Sequence, residues 1–127
     1  MTKPPCSHFD PDALLHDMFE HREAVRGVLQ AYAAWQQDAL AQLHAAAEAN
    51  DLPRVAHIAH TLRGSLSQFR AHASVAHARA LEARCRALDT PAATAPTRSI
   101  TELVEALSTE LEALGVEIAA YLEADET

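Results

Sequence analysis

The heptapeptide Ala59-His60-Thr61-Leu62-Arg63-Gly64-Ser65 puts a nucleophile, a cation and a gap within about one turn of helix. A neutral, accessible imidazole attacks electrophilic centres. Arg63 follows three residues later, on the same helix face, where a guanidinium can neutralise an anionic group held by the ring. Gly64 comes one residue after that. A glycine inside a helix costs about 1 kcal/mol relative to alanine, so it needs a reason. The steric reason is that a partner must come close to His60, where a side chain at Gly64 would obstruct it. These residues predict a histidine that takes up and hands on an anionic group, with phosphoryl the natural candidate.

That chemistry requires His60 to be on the wet side of its helix, and the apolar spacing says that it is. A helix over Leu52–Gln68 carries Val55, Ile58, Ala59, Leu62, Leu66 and Phe69 on one stripe. His57, His60, Thr61, Gly64 and Gln68 fall on the opposite one. Asp51 before Leu52-Pro53 reads as the N-cap. Arg63 can also be read as an ordinary solvated helix arginine, and His57 and Gln68 as plain surface residues.

The remaining elements follow from the same kind of pattern. Asp10-Pro11 starts a short helix through Phe19 that buries Leu14, Leu15 and Met18. A long helix over 21–48 buries Val25, Val28, Leu29, Tyr32, Trp35, Leu40 and Leu43. Residues 70–74 read as a break, and a helix to Leu88 turns Val75, Ala78, Leu81, Cys85 and Leu88 inward. Residues 89–98, with Pro91 and Pro96, form the breaker-rich loop. Ser99-Ile100-Thr101-Glu102 reads as a capping box. The last helix, to Ala124, has a seam of Ile100, Leu103, Leu107, Leu111, Leu114, Ile118 and Leu122, with Gly115 marking a bend. The expected fold is all-α: an antiparallel four-helix bundle with a short extra N-terminal helix, one domain over 1–127 with fraying ends at 1–8 and 125–127.

Composition narrows the function classes. A net charge of −8 argues against a nucleic-acid binder. No apolar run approaches the ~18 residues of a membrane span, and the expectation is a cytoplasmic monomer. Charge is segregated. Residues 54–86 hold six arginines and one acid, Glu82, for a net +5, whereas the remainder holds four basic residues against 17 acids, for −13. A basic segment around His60 in an acidic chain calls for an acidic partner. Cys6 and Cys85 read as a terminal thiol and a core thiol, with neither a disulfide framework nor a zinc site. His57 and His60, at i and i+3, lack a third metal ligand. His72 and His77 share no face, and His8, His16, His21 and His44 look like surface residues. The chain has no nucleotide-binding glycine loop, so it should carry phosphate without making it from ATP.

With its helical setting in place, the chain resembles the histidine-containing phosphotransfer (HPt) domains of multistep phosphorelays. That family centres on Ala-His-x-Leu-Lys-Gly-Ser, followed by a hydrophobic residue, a glycine, an alanine and later Leu-Glu. Here the counterparts are Ala59 to Ser65, then Phe69, Arg70, Ala71 and Leu81-Glu82. Arg63 replaces the usual lysine, Arg70 the usual glycine and Ser74 the usual leucine. The resemblance implies that His60 accepts a phosphoryl group from a receiver-domain aspartate and passes it to another. Arg63 and Gly64 would assist, and His57, Thr61, Gln68 and the apolar surface of the first helix would form the docking face. Response-regulator receiver domains and a hybrid sensor kinase are the implied partners. The receiver supplies Mg²⁺, and the chain needs no cofactor or metal of its own. The alternative is a degenerate bundle of the same kind that binds a receiver or kinase without carrying phosphate. A kinase dimerisation domain would follow its histidine with an acid and, a few residues on, a proline, and a metal-binding bundle would carry inward carboxylates with Glu-x-x-His spacing on its apolar stripes. Neither pattern is present.

Overall fold

A computed structural model describes residues 7–88 and 98–125. Five helices follow in order: α1 (Pro11–Asp17), α2 (Arg22–Glu48), α3 (Leu52–Gln68), α4 (His72–Leu88) and α5 (Arg98–Asp125). Helices α2 to α5 surround one apolar core, each packed on two neighbours. Three-residue links force α2 to run antiparallel to α3, and α3 to α4. Across the α2–α5 seam, Arg26 pairs with Leu122, Gln36 with Leu111 and His44 with Ser108, so this pair is antiparallel too. The expected four-helix bundle with an extra N-terminal helix is the observed architecture.

Local chemistry accounts for the helix limits. Asp10 and Asp51 cap α1 and α3, accepting hydrogen bonds from the backbone N–H of Ala13 (3.0 Å) and Arg54 (3.3 Å). Helices α1, α2 and α3 all end in the same paired bonds, in which the two residues after the cap donate back to the last turn. That closure needs a left-handed residue, and Phe19, Asn50 and Arg70 take it, each at φ 57°. The short helix therefore stops at Asp17 instead of Phe19. Leu14 is buried, whereas Leu15 and Met18 are only partly covered, and Phe19 is 85% exposed.

Arg70 stands where the resemblance would place a glycine, and the chain manages without one. It adopts the left-handed conformation itself, which costs a non-glycine residue roughly 1–2 kcal/mol, and its guanidinium reaches Asp17 at 3.1 Å. Both partners are about half exposed, so the pair offsets only part of that cost. The turn is complete by Ala71, and α4 starts at His72. Ser74 thus lies inside a helix, not in the break that was expected. It is fully buried, and its hydroxyl has no hydrogen-bond partner.

Several other expectations change. The inward seam of α5 is Ile100, Val104, Leu107, Leu111, Leu114, Ile118 and Tyr121, alternating steps of four and three, with Leu103 and Leu122 at its margins. Ser99 falls inside α5, which begins at Arg98, so it is not the cap. Gln36 is buried and donates to the Leu111 carbonyl at 3.0 Å beside Gly115. Residues 7 and 8 are tied down: His8 bonds Glu110 and Glu117 of α5, and Phe9 is buried edge-on against Tyr121. His8 and His44 are therefore bridges to α5 and not plain surface residues. Residues 1–6, 89–97 and 126–127, including Cys6 and nearly all of the expected loop, lie outside the described residues.

Removing the Ser74 hydroxyl should help the fold. A buried unbonded hydroxyl costs roughly 1–3 kcal/mol. Ser74→Ala is expected to raise stability by about 1 kcal/mol, read as a higher urea midpoint at unchanged slope. A lower midpoint would show that the hydroxyl is satisfied.

Candidate functional site

The site is built on α3 and completed by α4. Ile58, Ala59, Leu62 and Leu66 are buried, which fixes the rotation of α3 and turns His57, His60, Thr61, Gly64 and Gln68 outward, all exposed. The His60 side chain is 55% exposed. No atom beyond its own helix lies within 4 Å of where a Gly64 Cβ would sit. Nothing internal to the fold therefore demands glycine at this position, and the open space faces solvent one turn from the ring.

The residue that organises the site is Glu82 of α4. In the sequence it stands out only as the lone acid of a basic segment and as part of the Leu81-Glu82 pair that carries the resemblance. Its side chain is 7% exposed, held in the α3–α4 seam. Oε2 lies 3.1 Å from His60 Nδ1 and accepts from Arg86 Nε (3.1 Å) and Nη2 (2.7 Å). Arg63 Nη1 stands 3.4 Å from Oε1, but that oxygen has no hydrogen bond. Burial pushes the Glu82 carboxyl up. The Arg86 hydrogen bonds, the Arg63 charge and His60 outweigh it and hold the group below the usual carboxylate value.

An ionised Glu82 fixes the histidine's tautomer. A carboxylate can only accept, so Nδ1 carries the proton and donates it to Oε2. Arg63 Nη2 also stands 3.2 Å from Nδ1, and both donors cannot face one another. The ionised Glu82 oxygen can only accept, and at 3.1 Å it is the nearer of the two, so the Nδ1 proton goes to Glu82 and Arg63 does not donate to that nitrogen. In the neutral ring this leaves the lone pair on Nε2, the form in which an imidazole attacks.

The surroundings differ on the two sides of the ring. A cleft of about 230 Å³ between α3 and α4 is floored by Leu52, Pro53, Ala56 and Cys85 and rimmed by His57, His60 and Arg86. Cys85 is buried, and burial pushes its thiol up to about 11, so it is inert at neutral pH. Towards α2, Trp35, Ala39 and Gln42 line a second cleft with His57, Ile58 and Thr61. The apolar ground beside Thr61 thus comes from α2, where the first helix was expected to supply it. Thr61 donates its hydroxyl to the His57 carbonyl, and Gln68 lies two turns beyond His60. Among the described residues no helix is long and apolar enough to cross a membrane.

Glu82 makes the stability acid-sensitive. Its folded value lies below the ordinary 4.5, so its contribution is complete above that pH and is lost as pH falls through the folded value. Glu82→Gln should lower the thermal midpoint at pH 7, and the gap from the natural chain should narrow as pH falls below the ordinary carboxylate value and close once it passes the folded one. Curves that stay parallel into acid would contradict the ion-paired carboxylate.

The Hpt domain family model matches residues 27–117, spanning most of α2 through α5. No curated protein and no solved structure matches the chain. The match covers more than half of the sequence and contains His60, Gly64 and Glu82. The chain belongs to the Hpt domain family, and its role is of the phosphotransfer type in two-component signalling, where such domains interact with receiver domains.

Proposed function

We propose that His60 is the phosphoacceptor of a phosphorelay intermediate. The observation that carries this reading is the exposed His60 ring, with Nδ1 directed to the buried Glu82 carboxylate and Nε2 left free beside an open Gly64. In the forward step Nε2 attacks the phosphorus of a receiver's aspartyl phosphate. The N–P bond forms, the acyl P–O bond breaks, and the aspartate leaves as its carboxylate. The reverse step on a second receiver returns the phosphoryl group to an aspartate. The receiver contributes that aspartate and its Mg²⁺, so no metal or nucleotide of this chain takes part.

Three residues divide the remaining work. Glu82 stabilises the positive charge that develops on the ring as Nε2 is phosphorylated, through the hydrogen bond it already makes. Arg63 swings from Glu82 Oε1 to the transferred group, supported by its exposure and by the lack of a hydrogen bond to that oxygen. Gly64 leaves room for the receiver's acidic pocket. His57, Thr61 and Gln68, with Trp35 and Ala39 of α2, form the docking face. An acidic receiver pocket meets the basic 54–86 segment, and a hybrid sensor kinase is the upstream source.

Incubation with a pre-phosphorylated receiver tests the assignment. The chain should acquire acid-labile, alkali-stable phosphate, and His60→Gln should acquire none. Receivers that bind without transferring label would instead make this a non-phosphorylated adaptor. Gly64→Phe should keep the helix content but slow transfer roughly 10- to 100-fold through misplaced approach. An unchanged rate would refute the steric role of the glycine.

A further inference from the structure

Two arginines and a histidine converge on Glu82, and they hold it differently. Arg86, one turn along α4, donates two hydrogen bonds to Oε2, the oxygen that faces His60 Nδ1. Arg63, from α3, comes within 3.4 Å of Oε1 yet makes no hydrogen bond there, so that oxygen is buried and unbonded. A glutamate has three side-chain torsions, and His60 supplies a single contact from a ring that is itself more than half exposed. The bonds that fix which carboxylate oxygen meets the histidine are those from Arg86.

We propose that Arg86 is a positioning residue for His60: by fixing the Glu82 carboxylate it keeps the proton on Nδ1 and the lone pair on Nε2. This rests on the phosphoacceptor reading for its consequence, but the tautomer can be observed without any transfer. Arg86 does not reach the reacting nitrogen through any contact described; it acts through Glu82. Its guanidinium satisfies one oxygen through two N–H groups of a rigid fork, which a lysine's single ammonium cannot reproduce. It is also 65% exposed, so its removal leaves the apolar core intact. Arg63 takes the contrasting part: a cation near the same carboxylate that is not needed to hold it.

The test is a long-range ¹H–¹⁵N spectrum of His60 in the full chain, paired with single-turnover transfer from a phosphorylated receiver. Arg86→Ala is expected to shift His60 away from the Nδ1–H tautomer. It should also slow transfer about 10-fold, the scale at which outer partners of an active histidine act, with the half-saturating receiver concentration unchanged. Arg86→Lys should fall between the two, and Arg63→Ala should slow transfer while leaving the tautomer as it is. A natural tautomer in Arg86→Ala overturns the proposal. So does slowing that appears only as a higher half-saturating concentration, because Arg86 would then be a docking contact on the cleft it rims. Absence of label on the natural chain, with the tautomer shift present, would defeat the phosphoacceptor reading alone.

Discussion

The site depends on a carboxylate held in a seam between two helices. Glu82 is almost fully covered, and an isolated charge in that position would be expensive. It remains ionised because two arginines and a histidine surround it, and those partners come from both α3 and α4. The same cluster therefore does two things. It fastens α4 to α3 at the level of His60, and it orients the ring. A fold in which α4 slid by one turn would lose the ion pairs and the tautomer together, so the register of the bundle and the chemistry of the histidine are one constraint.

That register is itself set away from the site. Leu62 and Leu66 are fully buried, and so are Leu81 and Ala78 on the facing helix. Their phase leaves His60 and Glu82 on adjoining edges of the same groove. The three-residue turn between the helices completes the alignment, and it closes without glycine because Arg70 accepts the left-handed conformation. Strain at Arg70 and an unbonded hydroxyl at Ser74 stand where the family has glycine and leucine. Both lie in the turn and first coil of α4, about two turns or more from His60 along the chain, so their cost falls on stability and not on the geometry of the ring.

How much of this was legible in the sequence varies by element for physical reasons. Periodicity over 15 or more residues located α2, α3 and α5 to within a residue or two, and it put His60 on the wet face because Ile58 and Leu62 flank it on the dry one. Helix ends were harder. Phe19 and Arg70 occupy left-handed positions that favour glycine, so no breaker marks them, and the first helix and the break before α4 were both drawn too long. Polar core residues were missed for a related reason: Gln36 is buried because it finds the Leu111 carbonyl across the bundle, a partner 75 residues away that no local pattern reveals.

Glu82 is the instructive omission. It lies well inside a helix whose inward residues and C-terminal end are legible in the sequence, and it is visible there as the single acid among six arginines. A lone acid in a basic segment is either neutralised trivially in solvent or drawn inward by the surrounding charge. Its position decides between these: Glu82 follows Leu81 on the inward side of α4 and precedes Arg86 by four residues, the spacing at which a glutamate and an arginine pair along a helix. The charge count that pointed outward to an acidic partner also pointed inward. Part of the positive charge near His60 is already engaged by Glu82, and the cation left with the weakest hold on it, Arg63, stands 3.2 Å from His60 Nδ1, which makes it the charge that the proposed phosphoryl transfer would draw on.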